Sequence, residues 1–225
     1  MAESKAIVWD QQNEKLVEAG LDHGVFYQLS NGAYTNGVAW NGLTKVDEKP
    51  TGGEPNEIWA DNILYASLSG TEKFEASIEA YMYPDAFAEC DGSAEAAPGV
   101  RVGQQTRKPF GFSYRTLIGN DEKGTEYGYK IHCVYNAKVS PTDKSRETLT
   151  DSPDAASMSW DVKTTPVAVT GLKPTAHLEI DSTKCDEAKL KALEKVLYGD
   201  ETTEPRMPLP DEIINMMKTT TSSNP

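Results

Sequence analysis

The chain has few cysteines. Cys90, Cys133 and Cys185 are an odd number, and they are too widely scattered to match the close spacing of metal-ligating cysteine pairs. With 225 residues, the chain is long enough to bury a core without disulfide bonds. We therefore expect three reduced thiols in a protein made in a cytosol, which excludes a disulfide-framework fold.

Basic residues are also scarce. Lys and Arg number 22 against 35 Asp and Glu, and the formal net charge is -13. Proteins that bind nucleic acids independently of sequence neutralise the phosphates with clustered Lys and Arg. An acidic surface repels phosphates instead. The composition therefore excludes this class of nucleic-acid binder.

Long apolar runs are absent, since no uninterrupted run is long enough to span a bilayer. Residues 1–5 lead into no apolar signal region. We expect a soluble protein that has no membrane segment and is not exported by a signal peptide.

Motifs for nucleotide, metal or catalytic chemistry are missing too. The Thr-Gly-Gly-Glu run at 51–54 lacks the Lys-Ser/Thr of a phosphate-binding loop. His23, His132 and His177 lie far apart on different predicted elements, and His132 is expected to face solvent or an interface. The many carboxylates are ordinary on exposed strand faces. We predict no enzyme activity, no cofactor and no metal site.

What the sequence does contain is a series of short strand patterns bounded by Gly, Asn and Pro. The clearest is an aromatic hairpin, in which apolar residues alternate over 110–118 and 127–135 around a turn at 119–124. The other predicted strands are 25–29, 38–46, 63–68, 73–83, 158–162, 167–169 and 177–180. Eight or nine antiparallel strands with one late helix predict a mainly β chain, folded as a sandwich or partial barrel.

The strand at 73–83 has two distinct faces. Its apolar face carries Phe74, Ala76, Ile78, Ala80 and Met82. Glu75, Ser77 and Glu79 share the opposite, polar face.

Residues 47–61 are predicted to form a long, exposed loop, because Pro50, Gly52 and Gly53 stand among polar residues. Near its end lie two apolar residues, Ile58 and Trp59. These side chains either contact another molecule or pack on their own subunit.

The C-terminal region begins with an amphipathic helix. Leu190, Leu193, Val196 and Leu197 recur at helical spacing, and the helix is expected to end at Gly199. A semi-rigid extended strap should follow, with a last helical turn from 211 to about 217. The strap residues are Pro205, Arg206, Pro208, Leu209 and Pro210. The residues alone leave open whether the strap packs on its own domain or on a neighbouring subunit.

This C-terminal order resembles that of a known family. Leu197-Tyr198-Gly199, an acidic turn, and then Pro205-Arg206-Met207-Pro208-Leu209-Pro210 are similar to the C-terminus of the major tail tube proteins of long-tailed (siphovirus-type) bacteriophages. This run is the most specific part of the likeness. The strands of 38–83, the hairpin of 109–135 and the strand of 160–169 extend it over nearly the whole chain.

The resemblance implies a fold and an assembly. Family members have two packed antiparallel sheets with a flanking helix, and they form hexameric rings that stack into a hollow tube. Phage DNA passes through the tube into the host without sequence-specific binding. The implied partners are other copies of the chain, the tape-measure protein, and the tail tip and terminator proteins. The implied location is the virion tail, after synthesis in the bacterial host cytoplasm.

Under this resemblance, the chain is expected to have an N-terminal arm over 1–23 and a β-sandwich tube domain over 24–182. A flanking helix over 183–199, with Thr183 as a possible N-cap, and a C-terminal strap over 200–225 complete it. The loop at 47–61 becomes the expected contact between rings.

An acidic chain predicts an acidic lumen in such a tube, because a wall of carboxylates repels phosphate. The residues expected to line it are Glu75, Glu79, Asp47 and Glu48. An ordinary solvated strand face is the alternative, since Lys73 lies on the same face as the first two.

Two further functions stay open. The chain is also compatible with the tube protein of a contractile tail or of a secretion-type injection machine, which shares the fold. A β-sandwich binding or virion-decoration module is the other alternative, because Tyr34, Trp40 and Tyr65 are expected to be exposed aromatics.

Overall fold

The computed structural model describes residues 6–146, 148, 151 and 155–218. Within these ranges the chain is mainly β, as predicted, with one large antiparallel sheet, two separate hairpins and two α-helices. The strands are β1 (Val17–Ser30), β2 (Ala33–Ala39), β3 (Leu43–Glu48), β4 (Pro55–Ala60), β5 (Ile63–Ser69), β6 (Glu75–Ala80), β7 (Ala94–Ala97), β8 (Val100–Val102), β9 (Phe110–Asn120), β10 (Gly124–Val139), β11 (Met158–Thr164) and β12 (His177–Asp181). The helices are α1 (Glu187–Tyr198) and α2 (Pro210–Met217).

The large sheet has the strand order β2-β1-β9-β10-β11-β6-β3. The long strand β10 has different partners at its two ends, because Lys130–Val134 pair with β12 and Ala137–Val139 pair with β11. Between these segments lies Asn136, whose φ of 48° breaks the regular strand geometry. One continuous sheet therefore divides into two layers at this point.

The first core lies between the two layers and is rich in aromatic side chains. At its centre is Phe87, which is fully buried and belongs to the 3₁₀ turn Asp85–Glu89. Its ring contacts five other rings, those of Phe26, Trp40, Tyr83, Phe110 and Trp160. The alternation of the predicted hairpin is what directs Phe110, Phe112 and Tyr114 into this core.

The second core lies on the opposite face of β1, β9, β10 and β12, beneath α1, α2 and the strap. Leu190, Leu193 and Leu197 are buried there, as the helical spacing predicts. The hydroxyl of Tyr27 in β1 donates a hydrogen bond to the carbonyl of Leu197 at 2.9 Å. None of the helices in the described ranges has the length and apolar character that would cross a membrane.

Helix α1 ends at Gly199, as predicted, but it begins later than Thr183. Its N-cap is Asp186, whose carboxylate accepts from the backbone N–H of Lys189 at 3.1 Å. The hydroxyl of Thr183 instead donates to the carboxylate of Asp181. The predicted last turn is confirmed as α2, which makes two flanking helices instead of one.

Replacing Gly199 with Ala should lower the free energy of unfolding by about 1–3 kcal/mol, because its φ of 75° and ψ of 175° suit only glycine. An added Cβ would also lie 2.7 Å from the carbonyl oxygen of Thr203. Gly99→Ala is the matched control, since Gly99 has a φ of 76° but open space around it. Urea unfolding of both variants checks this, and an equal loss would mean that crowding at Gly199 contributes nothing.

Several predicted boundaries are wrong. Strand β1 begins at Val17, so the N-terminal arm ends well before residue 23, and its residues 1–5 lie outside the described ranges. The single strand over 38–46 is two strands, because a turn with Gly42 at a φ of 80° separates β2 from β3. The segment 167–169 forms only an isolated bridge, between Val167 and Thr175.

The prediction of one long loop over 47–61 is also wrong. Asp47 and Glu48 belong to β3, and 55–60 form β4, which pairs with β5 as a hairpin. Its turn is Asp61-Asn62, with φ values of 51° and 62°. Two adjacent residues with positive φ are the requirement of a type I′ hairpin turn, and Asn and Asp tolerate it. This turn signal outweighs the polar, Pro- and Gly-rich sequence that precedes it.

Candidate functional site

Six exposed apolar side chains lie together on the β4–β5 hairpin, which we call the apolar arm (residues 55–69). Trp59 is 62% exposed and Tyr65 is 72% exposed. Four aliphatic side chains on the arm are exposed as well: Ile58, Ile63, Leu64 and Leu68. A two-stranded hairpin is marginally stable by itself in water. The arm therefore presents apolar side chains that nothing in the described subunit covers.

The arm is joined to the body at a narrow base. The backbones of Thr51 and Lys73 exchange two hydrogen bonds, of 2.8 and 2.7 Å, and these hold together the two segments that lead into and out of the arm. Above them, Gly52 and Gly53 have φ values of 77° and 76°, a conformation that favours glycine. These glycines allow the chain to turn out of the sheet, so the arm has a defined root.

The structure places the predicted inter-ring residues on this arm and its root. Ile58 and Trp59 are on β4, whereas Pro50, Gly52 and Gly53 are at the root. The alternative in which Trp59 packs on its own subunit does not hold, because most of its surface is accessible. The sequence predicted the strand at 63–68, but not that this strand pairs with 55–60 and forms the other half of the exposed surface.

Glu75, Glu79 and Asp47 share one face of the β3-β6-β11 layer. Asp47 lies opposite Ser77, and Lys45 lies opposite Glu79. Successive residues of a strand alternate between faces, so these side chains point away from the first core. The face is mixed in charge, since Lys45 pairs with Asp47 at 2.7 Å and Lys49 lies 3.8 Å from Asp161. It is less acidic than the composition predicted.

Glu48 must be separated from the other three predicted lumen residues. It follows Asp47 in β3 and therefore points to the opposite face of the layer. Its Oε1 atom accepts a hydrogen bond of 2.5 Å from the Tyr114 hydroxyl. Asp47 and Glu48 thus cannot line the same wall, and Glu48 does not share the face that carries Glu75 and Glu79.

The strap packs on its own subunit. The carbonyl of Pro205 accepts from the N–H of Gly37 at 3.0 Å, and the Tyr135 hydroxyl donates to the carbonyl of Pro208 at 2.9 Å. Arg206 donates two hydrogen bonds to Glu212, while Pro210 forms the first turn of α2. Leu209 is 45% exposed and is the one apolar strap residue turned outward among those predicted.

The strap also covers one sheet edge. Besides Gly37, Tyr34 of β2 accepts from the N–H of Met207 at 3.1 Å. The outer edge of β2 is thus partly capped within the subunit. At the other end of the strand order, β3 has no strand on its outer edge within the described ranges. The β3 edge is therefore one that a strand of another copy could pair with.

A second candidate site is a cluster of Glu48, His132 and His177, which we call the His–Glu cluster. The Nδ1 of His132 lies 3.1 Å from the Nε2 of His177. The Oε1 of Glu48 lies 3.5 Å from the first of these atoms and 3.9 Å from the second. His132 is buried with only 3% of its side chain exposed, so the prediction that it faces solvent or an interface is wrong.

Long-range strand pairing assembles this cluster. In the β10–β12 register, Val134 lies opposite His177, which brings His177 to within two residues of His132. The carboxylate of Glu48 comes from the end of β3 in the other layer. The rings of four residues are nearly parallel, with interplanar angles of 10°, 13° and 4° between neighbours in the order Phe74, His177, His132 and Tyr114. Sequence spacing gave no sign of the cluster, because β12 is 45 residues after His132.

The hydrogen bonds around the cluster define the histidine tautomers. Thr116 donates its hydroxyl proton to Glu18 at 2.6 Å and is 3.0 Å from the Nε2 of His132. It therefore accepts from Nε2–H, which leaves the Nδ1 of His132 unprotonated and facing His177. Burial lowers the pKa of His132 and the pKa of His177, although the nearby Glu48 carboxylate opposes this. Both rings are neutral at neutral pH.

The three cysteines are unpaired, as predicted. Burial raises the pKa of the Cys90 thiol and of the Cys133 thiol, each to about 12. Thiols in this state are poor nucleophiles. The cysteines therefore contribute to packing, not to chemistry.

Comparison with known proteins adds no family assignment. Neither a scan against models of protein families nor a search of curated proteins found a match for this chain.

Proposed function

We propose that this protein is a structural subunit that assembles with copies of itself into stacked rings and so forms a hollow tube of the phage tail type. The observation that carries the proposal is the apolar arm, which exposes a Trp, a Tyr and four aliphatic side chains on a two-stranded hairpin. Burying apolar surface contributes about 25 cal/mol per Å². An arm of this composition gains stability from a partner surface.

In this proposal the assembly is head-to-tail. The arm of one copy packs on a different surface of the next copy, not on that copy's own arm. Contacts between two different surfaces are heterologous, and they generate rings or open stacks. The β3 edge offers a second heterologous contact, because a neighbouring strand can complete it. Two different contacts of this kind are compatible with an assembly in which one contact closes the ring and the other stacks the rings.

The C-terminal resemblance supplies the finer part of the proposal. It supports a tail tube that conducts DNA, made in the bacterial host cytoplasm and incorporated into the virion tail with the tape-measure, tip and terminator proteins. In this proposal the face that carries Glu75, Glu79 and Asp47 lines the lumen, without Glu48. Its mixed charge repels DNA more weakly than a wall of carboxylates would.

The binding-module alternative has less support. Tyr34 and Trp40 are each 3% exposed, so the prediction that they are exposed aromatics is wrong. Only Tyr65 remains on the surface, and it belongs to the apolar arm.

Electron microscopy of the concentrated protein tests the proposal. We expect rings or tubes of uniform diameter in negative stain, and a helical reconstruction should show the arm between rings and the Glu75 and Glu79 face toward the axis. Sedimentation velocity at rising concentration provides the solution measurement. A protein that stays monomeric at millimolar concentration, in low and in high salt, would overturn the proposal. Tubes with the Glu75 face outward would overturn the lumen assignment alone.

A further inference from the structure

We propose that the His–Glu cluster is a zinc site, in which Glu48, His132 and His177 supply three ligands. Nothing in the tube proposal requires it, and the two stand or fall separately.

The spacing of the ligand atoms supports this site. The three separations of 3.1, 3.5 and 3.9 Å join one carboxylate oxygen and two imidazole nitrogens. Zinc binds His nitrogen and carboxylate oxygen at about 2.0–2.2 Å, so neighbouring ligands of a tetrahedral ion are about 3.3 Å apart. Two of the separations are within about 0.2 Å of this spacing, and the 3.9 Å separation must shorten by about 0.6 Å.

The ligand chemistry also favours zinc over magnesium and calcium. Two imidazoles with one carboxylate suit zinc, whereas magnesium and calcium prefer sites made of oxygen atoms alone. The Nδ1 of His132 is already unprotonated, because Nε2–H is engaged by Thr116. At His177, the ion replaces the Nε2 proton that lies between the two rings, and this proton moves to Nδ1 of the same ring, so the imidazole stays neutral. Neutral imidazoles are the form that binds metals, so no charge has to be removed from the buried rings.

Outer hydrogen bonds hold the ligands in place. Thr116 and Glu18 orient His132, and the Tyr114 hydroxyl orients Glu48. Such carboxylate–histidine and hydroxyl–carboxylate contacts typically accompany zinc ligands. A hydrogen-bonded histidine pair alone has no need of a third group at the same distance, whereas a zinc site does.

The fourth ligand position would face solvent. Glu48 has 39% of its side chain exposed and His177 has 19%, whereas His132 is enclosed. Zinc can therefore enter from the open side, where water completes the coordination. The ion would join β3 to β10 and β12, and so connect the two layers close to the root of the apolar arm.

Titration of the metal-stripped, full-length protein with zinc tests the proposal. Isothermal titration calorimetry should give one zinc per chain, with no uptake of magnesium. Cobalt at the same site should give the visible absorption bands of tetrahedral coordination. A protein that binds zinc no more tightly than millimolar, or that shows only octahedral cobalt bands, would overturn the site.

Variants locate the binding. His177→Asn and Glu48→Gln should each weaken zinc affinity at least about 100-fold, because even outer-shell partners of ligands typically contribute 10- to 100-fold. The controls are His23→Asn and Glu79→Gln, since His23 is on the surface of β1 and Glu79 is outside the cluster. Both controls should keep the native affinity. Unchanged binding by Glu48→Gln and His177→Asn, each with a native circular dichroism spectrum, would place the zinc elsewhere and refute the proposal.

Discussion

Replacing Trp160 with Ala is expected to lower the free energy of unfolding by about 3–5 kcal/mol, the loss typical of removing a buried aromatic side chain. Trp160 is fully buried between the two layers. Its ring centroid lies 5.5 Å from that of Phe87 and 5.7 Å from those of Trp40 and Tyr83. Truncation leaves a cavity that all three partners border. Because their own positions depend on one another, the surroundings cannot readily collapse into it.

The indole also has a polar role. Its Nε1–H donates to a carboxylate oxygen of Asp91 at 3.2 Å, so truncation removes a hydrogen bond as well as packing. Trp160→Phe partly separates the two effects, since it keeps much of the ring volume but loses the donor. We expect it to lose less than half as much stability as Trp160→Ala.

Urea unfolding followed by circular dichroism measures these differences. Trp9→Ala is the control, because Trp9 is 74% exposed and its loss should change stability by less than about 0.5 kcal/mol. If Trp160→Ala lost less than about 1 kcal/mol, the packing of the two layers around Phe87 would not be the main source of stability.

Local patterns predicted the strands of the first core. Phe110, Phe112 and Tyr114 alternate into the first core, whereas the alternating residues of the returning strand, among them Ile131 and Tyr135, face the second core. The pattern lies within about 25 residues of sequence, so periodicity finds both strands but not that their apolar faces point into different cores. The buried stripe of α1 was predicted for the same reason, because Leu190, Leu193 and Leu197 recur at helical spacing.

Long-range pairing was not predictable in this way. The His–Glu cluster depends on β12 joining β10 and on β3 reaching the same place from the other layer. Each histidine alone fits a surface position as well as a buried one, and only the register decides. The β3–β6–β11 layer shows the same limit, because alternation predicted a polar face but not the lysines that partly neutralise it.

The apolar arm was half predicted. The exposed position of Ile58 and Trp59 followed from their polar surroundings. The strand that contains them was not predicted, because the preceding residues are rich in Pro, Gly and polar side chains. The decisive signal was the Asp61-Asn62 turn, which specifies a hairpin through backbone conformation and not through hydrophobicity. Turn chemistry is therefore the part of this sequence that would have corrected the prediction.

Substituting both aromatic residues of the arm, as Trp59→Ser with Tyr65→Ser, is expected to abolish assembly while leaving the subunit folded. Buried aromatic side chains at the centre of an interface typically contribute about 2 kcal/mol or more each. Two of them correspond to a decrease of roughly 1,000-fold in the association constant, if their contributions add. Since both side chains are mostly exposed in the subunit, the stability of the monomer should change little.

The second hairpin offers a matched control. Val100 and Val102 of β8 are 55% and 47% exposed, so Val100→Ser with Val102→Ser removes apolar surface from a similar two-stranded element elsewhere on the body. We expect this variant to assemble at the same critical concentration as the native protein. Sedimentation and negative-stain microscopy, with urea unfolding to check the fold, compare the two. Equal tube yields from both variants would remove the arm from the interface and make the β3 edge the next contact to examine, because a neighbouring strand can complete it.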